Sequence, residues 1–90
     1  MAVYLVAFTL NRVGADPAIV IEDIKKLSRA WMHYIPGVIL VDTNDSADEL
    51  AKKIYKFITK SDYLLVIRVT AEHQGWLPKD AWDWLNERIY

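Results

Sequence analysis

Read from its first residue, the chain changes hydrophobic period several times. Residues 2–11 alternate in twos, and from Val3 to Leu10 both alternating faces are largely apolar. That pattern predicts a central strand covered on two sides. The chain turns through Val13-Gly14-Ala15, and Asp16-Pro17 then opens a helix. The Asp side chain can accept from the first unpaired amides, and Pro suits the first helical position. A helical period follows over residues 17–29. It sets Val20, Ile24, Leu27 and, just beyond, Trp31 on one face, with Ile21 beside them. Asp16, Glu22 and Asp23 come early and Lys25, Lys26 and Arg29 late, as the helix dipole favours.

Residues 32–35 and 38–41 are short extended segments on either side of Pro36-Gly37, which predicts a hairpin. The competing reading is one loop and one strand, with Pro36-Gly37 merely ending the first helix. Ser46-Ala47-Asp48-Glu49 fits a capping box. It begins a second helical period over residues 47–59, burying Ala47, Leu50, Ala51, Ile54, Phe57 and Ile58. Residues 63–70 form another strand with two apolar faces, and residues 78–90 a last helix with Trp82, Leu85 and Ile89 on one side. Strand–helix–strand–strand–helix–strand is the order of a ferredoxin-like α+β sandwich, here with an additional C-terminal helix.

Such a sheet carries its two helices on one face. The strands of this chain are apolar on both, so the second face needs a cover of several hundred Å². Two covers are expected: the helix at 78–90, and a second copy of the chain in a homodimer. Trp31, Trp76, Trp82 and Trp84 fit cores and interfaces.

Ninety residues allow one domain, spanning 1–90. A content of 53% hydrophobic and 26% charged residues excludes disorder. The net charge of -1 gives no global nucleic-acid signal, although a local basic patch is compatible with it. The absence of cysteine removes disulfides, thiolate metal sites and cysteine nucleophiles. No run is long enough to span a bilayer, and the apolar start lacks a basic leader. A soluble, cytoplasmic protein is the expectation.

Four groups of residues have the right types for chemistry. Thr9 and Asn11 share a strand face at the end of the first strand, with Arg12 next to them. They suit a phosphate, or simply a strand that stops in turn-forming residues. His33 is the best-placed proton carrier, or else a half-buried structural histidine. Glu72 and His73, in a polar loop, offer a pair of metal ligands, but neighbours in sequence rarely both face one ion, so solvent exposure is the expected reading. Asp42, Asn44, Asp45 and Asp48 offer oxygen ligands for Mg²⁺, yet a strand end and a helix cap also account for them. Lys52, Lys56 and Lys60 recur every four residues, either as a phosphate-contacting stripe or as a solvated helix face. No nucleophile elbow, phosphate loop, dinucleotide fingerprint or zinc motif occurs.

Four stretches, YLVAFTLN at Tyr4, WMHYIPGVILVDT at Trp31, DYLLVIRV at Asp62 and GWLPKDAWDWL at Gly75, together resemble small bacterial proteins labelled SinR-like. That group is similar to the CRISPR-associated protein two family and to virulence-associated protein D. The resemblance implies a ferredoxin-like dimer, either a metal-dependent nuclease of RNA or duplex DNA or a scaffold without cleavage. The nucleases of that group carry Tyr-Asp-Leu-Asn at the end of the first strand. This chain reads Phe8-Thr9-Leu10-Asn11, so Thr9 stands at the metal-binding Asp. A neutral hydroxyl is a poor substitute for a carboxylate ligand. The implied protein is therefore a homodimeric nucleic-acid-associated or protein-interaction module without metal, cofactor or catalysis. Arg12, Lys52, Lys56 and Arg68 are then the residues to contact RNA or DNA. The alternative is an Mg²⁺- or Mn²⁺-dependent endonuclease in which Asn11 and Asp42 orient the metal and His33 acts as general base.

Overall fold

The local signals at the helix starts set the frame. Asp16 Oδ1 accepts from Ala18 N at 2.9 Å with Pro17 in the first turn. Ser46 Oγ accepts from Glu49 N at 3.1 Å while Glu49 Oε1 accepts from Ser46 N at 3.0 Å, a complete capping box. In the computed structural model, which describes residues 2–89, the elements are β1 (Ala2–Thr9), α1 (Pro17–Lys25), β2 (Ala30–Ile35), β3 (Val38–Thr43), α2 (Ala47–Ile54), β4 (Tyr63–Arg68) and α3 (Lys79–Asn86). They make a compact α+β fold with one four-stranded antiparallel sheet in the order β2-β3-β1-β4. The hairpin reading of Pro36-Gly37 holds, with Gly37 at φ +74° between β2 and β3.

The central position of β1 explains its two apolar faces. One face sends Tyr4, Val6 and Phe8 against α1 and α2, where Val20, Ile21, Ile24, Leu50 and Ile54 meet Ile39 and Val41 of β3. The opposite face is partly roofed by α3. Ala81 and Leu85 are buried there with Met32, and Leu40, Val69, Trp82, Trp84 and Ile89 pack around them. The expected C-terminal cover is present; the end of the predicted helix, Tyr90, lies outside the described residues.

Both inner helices are shorter than their periodicity predicts. α1 stops at Lys25 because the chain tightens into three-residue turns: Leu27 N donates to Ile24 O and Ser28 N to Lys25 O. Arg29 N then donates to Asp42 O at 3.0 Å, and strand pairing takes over. Trp31 is thus not on α1. It lies on β2, 44% exposed, with Lys25 Nζ 3.9 Å from its ring centroid. Glu22 and Asp23 fall in the last turn of α1 rather than near its start, so the dipole does not favour them there. α2 stops at Ile54, which leaves Lys56 and Lys60 off the helix and dissolves the expected lysine stripe.

Candidate functional site

Three of the predicted residues, Asn11, Arg12 and Asp42, are held in two separate structural clasps. Asp62, just before β4, has a side chain with no exposed surface. Its Oδ1 accepts from Asn11 N at 2.8 Å, and its Oδ2 accepts from Thr59 N at 2.9 Å and from Arg12 Nε at 3.0 Å. Arg12 Nη2 lies 3.0 Å from the same oxygen, and Asn11 Nδ2 donates to Ser61 O at 2.7 Å. Burial pushes the Asp62 carboxyl up, but the amides of Thr59 and Asn11 and the Arg12 guanidinium together outweigh it and hold it down at about 2. Asn11 and Arg12 thereby pin the end of β1 to the start of β4. Nothing in the sequence singled out Asp62, whose partners Asn11 and Arg12 lie 51 and 50 residues away.

Asp42 belongs to the second clasp. It sits 7% exposed on the α3 side of the sheet, and its Oδ2 accepts from Arg88 Nε at 3.0 Å. Its Oδ1 has no hydrogen-bond partner among the described residues. Asp42 pairs in register with Val3 of β1, eight residues before Asn11. At about 3.4 Å per residue the two stand roughly 25 Å apart. Met32, Tyr34 and Ile35 line the α3 side of the sheet with Leu40 and Leu77 while His33 does not, which leaves His33 on the α1 side, opposite Asp42. His33 is half-buried, and its Nε2 is enclosed without a partner among the described residues. The chain therefore does not bring Asn11, Asp42 and His33 to one point. Among the described residues no group of three or more His, Asp or Glu is arranged to hold a metal ion.

The other candidates are equally dispersed. Thr9 is exposed at the end of β1, opposite Tyr63. Lys52 pairs with Asp48 at 2.9 Å, and Lys53 with Asp45 at 2.7 Å, which occupies two more of the predicted oxygen ligands. Arg12 and Arg68 flank opposite ends of β4, about 20 Å apart along the strand. Lys56 lies beyond α2.

What the fold does gather is apolar. β4 is an edge strand, and Tyr63, Leu65 and Ile67 share its α3-side face at 72%, 55% and 49% exposure. α3 roofs the sheet over β2 and β3 and leaves this side open. Val69 N donates to Val3 O at 2.8 Å and Phe8 N to Gly37 O at 2.9 Å, so odd-numbered residues of β1 bond β4 and even-numbered ones bond β3. In β4 the odd residues are spent on β1. The amides and carbonyls of Leu64, Val66 and Arg68 point outward, and no described strand pairs with them. The other edge, β2, is interrupted by an irregularity between Met32 and Ile35 and has Lys25 over Trp31, two ordinary ways of blunting an edge. β4 has no bulge or proline, and a single charge.

No described helix is long and apolar enough to cross a membrane. Comparison with protein-family models, with curated proteins and with solved structures finds no match to this chain.

Proposed function

We propose that this chain is a homodimeric protein-interaction module on a ferredoxin-like framework, and that its contact surface is the β4 edge with the open side of the sheet beside it. The strand order β2-β3-β1-β4, with α1 crossing from β1 to β2 and α2 from β3 to β4, each joining strands that are not neighbours, supports the framework. The observation that carries the function is the exposed row Tyr63, Leu65 and Ile67 on a strand with unpaired outward backbone groups. Strand addition by a second copy satisfies both features at once.

A twofold pairing of β4 with itself keeps the apolar row on one face of a continuous sheet. It sets apolar residue against apolar residue across the axis. Complete burial of a Leu or Ile side chain contributes about 1.5–3 kcal/mol, so half-exposed side chains have roughly 1 kcal/mol left to gain. Three such side chains on each of two copies give about 6 kcal/mol, within the range that association costs, about 4–15 kcal/mol. The edge hydrogen bonds and the neighbouring apolar surface of β1 supply the remainder.

The interaction reading leads over nucleic-acid contact because Arg12 and Lys52 are already paired and Arg68 stands apart from them. Light scattering on a size-exclusion column tests it. The wild-type chain is expected at twice 10.4 kDa, and Leu65→Lys at 10.4 kDa with an unchanged circular dichroism spectrum. A wild-type monomer throughout about 10–300 µM refutes the dimer. A salt-sensitive gel shift with structured RNA or duplex DNA, reduced by Arg68→Ala, would move the function to nucleic acid.

A further inference from the structure

We propose that the cleft between segment 70–77, α3 and the sheet binds a planar bicyclic aromatic molecule that carries one hydrogen-bond donor. The cleft encloses about 220 Å³. Its floor is apolar, from Leu5 and Leu40 of the sheet through Val69 and Leu77 to Leu85 of α3. A dry apolar cavity of about 150 Å³ accommodates benzene, so this volume suits two fused rings.

The walls point to an aromatic guest. His73 and Trp82 line the cleft with their rings nearly parallel, 12° apart in plane and 6.1 Å between centroids. Trp76 lines the same cleft yet is fully exposed, an indole at the rim with almost none of its surface covered. A ring seated below it would give Trp76 the offset-stacked contact such groups favour. The donor requirement comes from His73. Its Nδ1 lies 2.7 Å from Thr70 O, and a carbonyl only accepts, so Nδ1 is the donor. In the neutral ring Nε2 is then an acceptor, and the ligand N–H or O–H is assigned to it. The site is separate from the β4 row, since Tyr63, Leu65 and Ile67 are not among its lining residues.

Amide chemical-shift titration of the full chain with indole, and in parallel with 1-methylindole, tests the assignment. Indole is expected to shift Leu40, Val69 and Leu85 saturably and to bind about threefold to tenfold tighter than its methylated analogue, the usual effect of one hydrogen bond. His73→Phe should bring the two ligands to equal affinity while leaving 1-methylindole unchanged. Trp76→Ala, at an exposed position that does not threaten folding, should weaken both ligands alike. Absence of saturable shifts up to the solubility of indole overturns the proposal. So do equal affinities in the wild-type chain, or shifts centred on Tyr63, Leu65 and Ile67.

Discussion

Truncating Leu85 to Ala tests whether α3 is the roof of the second sheet face, and comparison with Leu50→Ala calibrates the answer. Leu50 is completely enclosed between α2 and the sheet, and Leu85 is 3% exposed between α3 and the sheet. Each change removes three carbons, worth roughly 2.4 kcal/mol at about 0.8 kcal/mol per methylene. At Leu50 a residual void of about 60 Å³ adds about 1.5 kcal/mol at roughly 24 cal/mol per Å³, for a total near 4 kcal/mol. Leu85 also lines the open cleft below Trp76, so the space it leaves joins that cleft instead of forming a closed void. Its loss should cost only about 2.5 kcal/mol. For a chain of this length total stability is about 4.5–13 kcal/mol, so both variants stay measurable, and Leu85→Ala should lower Tm by about 10–20 °C. Urea unfolding followed by circular dichroism and by tryptophan fluorescence measures both quantities. A Leu85→Ala chain within about 0.5 kcal/mol of wild type would refute the docking of α3 on the sheet. A cost equal to that of Leu50→Ala would refute the relaxation into the cleft.

Two further outcomes follow from single residues. Asp62 is held at about 2 against an ordinary value of 3.8, so the protonated form is disfavoured by folding. Its stabilising contribution is complete above about pH 4 and is lost as the pH falls from about 4 to 2. The urea midpoint of the wild-type chain should drop across that window more than that of Asp62→Asn; parallel curves would show that the clasp does not titrate. Gly37 has φ +74°, and a Cβ built there meets Phe8 O at 3.0 Å, so Gly37→Ala should destabilise the chain by about 1–2 kcal/mol. An unchanged thermal midpoint would contradict the tight approach of this turn to β1.

The features legible in the sequence are those whose partners lie within a few residues. Asp16-Pro17 and the Ser46–Glu49 box marked the helix starts because a cap is a local hydrogen-bond arrangement. The alternation of Val3 to Phe8 marked β1 because a strand buried on both faces has little choice of composition. Trp31 was misleading because it continues the helical spacing of Val20, Ile24 and Leu27. The competing force, pairing of β2 with β3, sets Trp31 against Val41, ten positions away. The lysine spacing failed because the chain tightens into three-residue turns after Ile54, with Lys56 N donating to Lys53 O and Phe57 N to Ile54 O, before a longer helix can form. Asp62–Arg12 and Asp42–Arg88 join residues 50 and 46 apart and left no motif to read. The exposed row on β4 was visible as apolar character, but not as exposure. That depends on β4 lying at the edge of the sheet and on α3 reaching only part of the face.

The most direct test of the β4 edge as a pairing surface is amide hydrogen exchange of Leu64 and Val66 as a function of protein concentration. These amides point away from β1 and have no described partner within the chain. Pairing with a second copy predicts slow exchange at high concentration and fast exchange on dilution, with Leu65 and Ile67, already bonded to β1, protected throughout. Fast exchange of Leu64 and Val66 at every concentration would contradict the account.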